Sequence, residues 1–465
     1  MPGSLDTQIT EHCGFLGTTN NRVSERQAAA DVAAKWTFAL LWLFTMAVLI
    51  RPEDVYRIPF HFQQIFAIGA AVAFAGALFA RRATVAWPPE LVLVLLLSGW
   101  FALGVPFAYW RTESYTTLTA VWLKTVFIYF LLTQSLKTVD RVRKLIWAII
   151  LSELIVTSAS LALQARQALQ EGERLAGVSM GMLGWNEFGI AFATTIPYIA
   201  ALYVSRRSLV RTCLLMATLG TMTWMLVLIA SRGGFLTVAF AILLTWYSVL
   251  RRTPRGQMAI LIVGLCLFIV LAKAPSLFFE RMQTIWSGSE VPTDNVVVAA
   301  NESTEGRKLL LERAIIYTLR YPIFGVGIGN FQVINGTELH RADAWYGTHN
   351  TFTQISSEAG IPALVLFLLL LITLLRHMKK VSEDFADDPA NAELRLLARA
   401  SAASIISFAF GGIFAHVAYE YYFFYPAGIA TGLWLIAGQI REGRRRPASS
   451  LEVVPTTRSG ERFAR

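Results

Sequence analysis

Residues 360–380 read GIPALVLFLLLLITLLRHMKK, an apolar run closed by Arg376, Lys379 and Lys380. As a helix, a run of this kind crosses the roughly 30 Å of bilayer hydrocarbon, and no charge interrupts it before its basic end. Comparable stretches of about 17 to 25 residues begin near Lys35, Ile58, Glu90, Thr119, Leu145, Phe188, Thr212, Gly233, Gln257, Ala398 and Phe424, making twelve with the one at Gly360. An open sheet is excluded, because its edge would strand backbone N–H and C=O groups in lipid. A transmembrane barrel needs alternating strands of about ten residues, and these runs are continuous instead. With 55% hydrophobic and 15% charged residues, the chain is read as an all-α polytopic membrane protein of about 12 helices.

The first run follows a polar stretch and lacks a small-residue cleavage site, so it reads as a retained helix rather than a signal peptide. Cys13, Cys213 and Cys266 show no metal or disulfide spacing, and no disulfide or metal site is expected from them.

A net charge of +10 raises the question of nucleic acid, and the distribution answers it. Arg81/Arg82, Lys137 to Lys144, Arg206/Arg207/Arg211, Arg251/Arg252/Arg255, Arg376/Lys379/Lys380 and Arg441 to Arg446 fall in every second connection. Placing these connections and both termini in the cytoplasm puts about 27 of the 41 basic residues inside, about 13 outside, and Lys124 within a helix. The basicity is therefore topological, with membrane lipids and not nucleic acid as its partner. The resulting division is a cytoplasmic tail (1–34), nine helices (35–277), an outer loop (278–359), three helices (360–440) and a basic cytoplasmic tail (441–465).

The outer loop is long enough to be translocated in spite of its own basic residues. Within it Asn295 to Glu305 is polar and poorly patterned, whereas 306–321 carries Leu309, Leu310, Ala314, Ile315 and Leu319, which predicts an amphipathic helix. Pro322 ends it, and Gly325, Gly327 and Gly329 predict a tight loop packed at the membrane surface. No strand precedes these glycines, so they are not a dinucleotide fingerprint.

The candidate chemistry gathers on the outer side. His349, in Tyr346-Gly347-Thr348-His349-Asn350, precedes polar Gln354 and Glu358 at the mouth of an apolar helix, where an imidazole can accept a proton near neutral pH. Arg232 lies in Ser231-Arg232-Gly233-Gly234, read as the whole connection between spans seven and eight, with the glycines allowing close backbone approach. Arg307 is expected near the N-terminus of its helix, with free N–H groups beside the guanidinium. Arg174 and Arg281 add two more cations. Guanidinium forks grip phosphate oxygens bidentately, so this set suits a lipid diphosphate. The outer loops hold no Asp-x-Asp pair, no His-Glu-x-x-His and no Walker loop, and neither metal, ATP nor another cofactor is expected.

Arg174-Leu175-Ala176-Gly177 with Asn186, then Ser231-Arg232-Gly233-Gly234, Gly306-Arg307, Tyr321 through Phe331, His349-Asn350 and Glu358-Ala359-Gly360 resemble, in order and spacing, the O-antigen ligase and polymerase superfamily. The resemblance covers nearly all the chain. It implies a GT-C-like glycosyltransferase of bacterial lipopolysaccharide assembly, in the inner membrane with a periplasmic active site. The donor would be O-antigen on undecaprenyl diphosphate and the acceptor the lipid A core oligosaccharide. It implies His349 as the catalytic base, Arg232, Arg307 and Arg174 as diphosphate-binding groups, and Asn350 and Arg281 as supporting residues. Gly184-Trp185-Asn186-Glu187 lacks the proline that many relatives carry beside the asparagine, so Asn186 receives no role, nor does His340. An O-antigen polymerase or a protein O-oligosaccharyltransferase of the same superfamily is the nearest alternative. A glycan transporter is the alternative from another class; it calls for mid-membrane charges, and only Lys124 and Glu153 qualify.

Overall fold

The computed structural model describes residues 32–51, 62–79, 85–171, 185–205, 207–251, 253–283, 295–340 and 346–445. Twelve of its helices are long and apolar enough to cross a membrane, and no strand occurs among the described residues. In chain order the helices are α1 (Val32–Ile50), α2 (Phe62–Phe79), α3 (Pro89–Phe107), α4 (Arg111–Ser135), α5 (Val139–Leu163), α6 (Asn186–Ser205), α7 (Leu209–Ile229), α8 (Arg232–Leu250) and α9 (Pro254–Ala272). Three shorter or polar helices follow, α10 (Ser276–Gln283), α11 (Asn295–Arg320) and α12 (Phe331–Leu339). The last spans are α13 (Thr351–Asp384), α14 (Pro389–Gly411) and α15 (Tyr421–Arg445). The chain is a multi-pass all-α membrane protein.

Several helices begin earlier than the apolar runs. α4 starts at Arg111 rather than near Thr119, and α13 at Thr351 rather than Gly360, because a helix entering lipid needs apolar residues only where lipid touches it. Gly360 still marks a real boundary: its φ of 83° breaks α13 into two pieces. The loop helix differs more. It begins at Asn295, so the stretch read as unpatterned is helical too.

Burial separates the centre of the bundle from its rim. α6 and α15 have 78% and 72% of their apolar stretches buried, against 12% for α9, whose Leu261, Phe268 and Ile269 face outward as lipid-facing side chains do. Around α15 the core is aromatic: Trp122 meets Phe101 and Phe424 edge-on, and Phe423 contacts Phe367 and Phe408. Polar groups inside are paired across helices, as in Tyr129 with Thr431 at 2.8 Å and Trp122 Nε1 donating to Ser98 at 2.9 Å.

Near the basic end of α13, away from the long loop, fully buried Glu90 is paired with His377 Nδ1. The His377 ring lies flat on Trp434 with centroids 3.8 Å apart, and the Arg441 guanidinium covers the same indole at 4.6 Å. Of the two mid-membrane charges, Glu153 is bonded to Thr195 at 2.7 Å and Lys124 is exposed.

Candidate functional site

The loop face of the bundle is stitched together by backbone rather than by side chains alone. Gly325, Gly327 and Gly329 have φ of 65°, 98° and 77°, the left-handed region that a Cβ disfavours. Their turn folds onto the first piece of α13: Val326 N donates to Ser357 O at 2.8 Å and Gly327 N to Glu358 O at 2.8 Å. The Glu358 carboxylate, 4% exposed, accepts from Gly329 N at 2.9 Å, from Phe331 N at 3.2 Å and from the Tyr419 hydroxyl at 2.7 Å. One acid thus ties the long loop to the connection between α14 and α15. The glycine turn packs against Glu358 and the start of α4, with Asn330 Nδ2 donating to Ser114 Oγ at 2.7 Å.

His349 sits at the next joint. Asn350 caps α13, its Oδ1 accepting from Phe352 N at 2.9 Å and Thr353 N at 3.0 Å. Thr351 then anchors the segment to the α14–α15 connection, donating from N to Gly412 O at 2.7 Å and from Oγ1 to Ala415 O at 2.8 Å. Between these ties His349 is held at φ 51°, a conformation that costs a non-glycine residue about 1 kcal/mol or more and persists only where its surroundings enforce it. The ring meets His416 edge-on, with centroids 5.2 Å apart. Both Nδ1 atoms are buried and have no hydrogen-bond partner among the described residues.

The three described arginines arrive from separate elements. Arg232 is the first residue of α8, which Ser231 caps by accepting from Gly234 N. Arg281 lies on α10, pinned by its neighbours Phe278 and Met282 against Val227 and Ala230 at the end of α7. Arg307 lies one turn before Leu310, which buries with Ala314 and Tyr317 against Val326, Phe331 and Ile334. Arg281 and Arg307 both act electrostatically on Arg232, and Arg307 on Arg281 and His349. Burial, then the Arg307 charge, lowers the Arg281 pKa, while burial lowers that of Arg307 against an opposing pull from Glu187. Burial first, then His416 and Arg307, hold His349 down to about 4. Burial lowers His416 as well, with Glu187 pulling it back up.

Two details differ from the sequence reading. Gly233 and Gly234 belong to α8 and not to a connection; a Cβ on Gly189 of α6 would lie 2.3 Å from Gly234 Cα, so the glycines bring two helices together rather than a ligand to the backbone. Arg307 is three turns inside a helix that starts at Asn295, so its own N–H is spent within the helix and only its guanidinium is on offer. Asn186 has a structural place: Ser231 Oγ donates to its Oδ1 at 2.6 Å and its Nδ2 donates to Phe414 O at 2.9 Å. Arg174 lies outside the described residues.

Beside the histidine pair opens a polar cavity of about 380 Å³, walled by Glu187, Gln332, Gln354, Glu358, His416 and Glu420 among others. His416, Glu187 and Glu420 had not been singled out from the sequence. Each stands next to a span boundary in an aromatic or apolar setting, and a titratable side chain there was the available signal. Among the described residues no group of three His, Cys, Asp or Glu is arranged to hold a metal ion.

Residues 217–368, about a third of the 465-residue chain, match a family model described as O-Antigen ligase. That stretch contains Arg232, Arg281, Arg307, His349 and Glu358, while Glu187, His416 and Glu420 lie outside it. No curated protein matches the chain.

Proposed function

Because residues 217–368 carry a domain of the O-antigen ligase superfamily, whose members are glycosyltransferase-like ligases and polymerases, we propose that this membrane protein is an O-antigen ligase. It moves O-antigen polysaccharide from undecaprenyl diphosphate to a sugar hydroxyl of lipid A core. The reaction takes place on the periplasmic face of the inner membrane, with both termini in the cytoplasm. The observation that carries this reading is that Arg232, Arg281 and Arg307, from three elements, lie within electrostatic reach of one another, with Arg307 also acting on His349.

Arg232 and Arg307 hold the diphosphate, assisted by Arg281 and Arg174, while the polyprenyl chain lies among the helices. The acceptor hydroxyl attacks the anomeric carbon, the bond from that carbon to the phosphate oxygen breaks, and its electron pair leaves on the lipid diphosphate. His349 takes the hydroxyl proton. One displacement inverts the anomeric centre, and guanidiniums aimed at the leaving group stabilise its charge without a metal or ATP.

The depressed His349 pKa fits this order of events. Held down by burial, then by His416 and Arg307, the imidazole stays neutral at pH 7 and so can accept a proton. A diphosphate seated between the arginines offsets the Arg307 charge and favours the imidazolium that forms. Base strength therefore rises once donor is bound, which couples proton transfer to a loaded site.

The test is the lipopolysaccharide of a strain lacking the gene. Lipid A core without polysaccharide, together with accumulated long lipid-linked polymer, is expected. Core capped by single repeat units would instead identify a polymerase and overturn the ligase reading.

A further inference from the structure

The cavity beside His349 has a chemistry opposite to that of the arginine cluster. Its walls carry three carboxyl groups, Glu187, Glu358 and Glu420, of which burial raises the Glu420 pKa, and none of Arg232, Arg281 or Arg307. A diphosphate finds no guanidinium fork to hold it in such a space. From this we infer that the cavity is the acceptor subsite and takes an uncharged, hydroxyl-rich sugar. The inference rests on the transferase reading and adds to it which side of the histidine pair each substrate occupies.

Gln354 is the strongest sign that the cavity is built for a polar ligand. Its side chain is 8% exposed and lines the cavity. Oε1 accepts from Ala418 N at 3.1 Å, which fixes the orientation of the amide. Nε2 is then left with no partner among the described residues, a nearly buried donor that a sugar hydroxyl satisfies. A nonpolar ligand would leave it stranded, and water alone gives no reason for the surrounding acids.

The walls are shaped as well as polar. α4 carries a π-helical turn over Thr117–Trp122, the kind of local irregularity that re-aims side chains, and Thr117 and Val121 both line the cavity. Gly329 packs directly on Thr117, where a Cβ would lie 2.3 Å from Thr117 Oγ1, so the absence of a side chain lets these two walls meet. Gly347 does the same for His416, whose ring a Cβ would meet at 2.6 Å. The volume, about 380 Å³, falls at the lower end of small-ligand pockets and suits about one or two sugar rings. His416 belongs both to this wall and to the edge-on pair with His349, so it joins the cavity to the base.

The experiment compares two probes on the purified full-length protein in nanodiscs: phosphate-free core oligosaccharide, and a short polyprenyl diphosphate. Gln332→Ala and Glu420→Gln alter the cavity walls only. Each is expected to weaken oligosaccharide binding about tenfold, the loss of roughly one good hydrogen bond, and to leave polyprenyl diphosphate binding unchanged. In a transfer assay the acceptor KM rises and the donor KM does not. Unchanged oligosaccharide affinity in both variants overturns the assignment, as does an equal loss for both probes. Calorimetric binding of Mn²⁺ that disappears in Glu420→Gln also overturns it, in favour of a cation site. If the wild type binds oligosaccharide in this way but ignores the polyprenyl diphosphate, the subsite stands and the donor reading fails instead.

Discussion

His349 stands just ahead of α13 and His377 near the far end of its second piece, roughly 25 Å past the Gly360 break along that piece's axis, and their surroundings are opposites. His377 is held by a buried glutamate, stacked on Trp434 and shielded by an arginine beyond it. His349 faces another imidazole and feels the charge of Arg307, in a strained backbone conformation, with its Nδ1 unbonded. The first histidine has its partners supplied by the fold. The second is placed among groups that disfavour its charge, the arrangement that the proposed base would have before an anionic donor arrives.

The contrast can be broken most directly by alanine at each end. His349→Ala should lower transfer by about 10² to 10⁴-fold with a normal thermal midpoint, whereas His377→Ala should leave kcat near wild type and lower the midpoint by exposing Glu90 unpaired. Equal losses of activity in both variants would erase the distinction.

Charge-preserving substitutions sharpen the cationic half. Arg232→Lys and Arg307→Lys keep the charge and lose the planar fork, so each should reduce transfer about 10 to 100-fold. A donor KM that stays fixed in both would argue against diphosphate binding by these residues.

Protonation offers a third test. Unfolded, His349 takes a proton near 6.5; folded, only near 4, so its contribution to stability is complete above about pH 6.5 and is lost as pH falls toward 4. The loss is on the order of 3 kcal/mol at most. His349→Gln should flatten the fall in thermal midpoint between pH 7.5 and 4.5, leaving the slope due to His416, which is shifted the same way. A variant as acid-sensitive as wild type would mean that the imidazole is not desolvated as described.

The smallest effect belongs to Asn350→Ala, which removes a helix cap worth about 1 kcal/mol. Stability should drop by that amount, and transfer by a modest factor, because the cap also orients the residue before it. Rescue by Asn350→Asp or Asn350→Ser, read as restored thermal midpoint, separates capping from any contact with substrate.

Much of this architecture is visible in the chain because lipid imposes a strict rule: every span must be a continuous apolar helix, and Leu-rich runs such as 363–375 satisfy it openly. The positions of Arg232 and His349 beside the starts of spans were also legible, since each adjoins an apolar run. What escaped was tertiary. Nothing local indicates that Gly233 faces Phe414, that Asn186 bonds Ser231, or that His416 comes to rest against His349. The helical stretch from Asn295 escaped for a different reason: a block of Val296 to Ala300 followed by polar Asn301 to Glu305 has no helical period for pattern reading to detect.

The break at Gly360 has an engineering consequence. Ahead of it, the carbonyls of Ser357, Glu358 and Ala359 accept hydrogen bonds from Val326, Gly327 and Trp100, and Ile361 N just after it donates to Pro322 O. Residues 351–359 are therefore joined to the glycine turn as firmly as to the span that continues them. A chimaera made to exchange acceptor preference between relatives should cut at this glycine rather than at the membrane edge, and should carry 321–360 together with 412–420 as one transplantable unit.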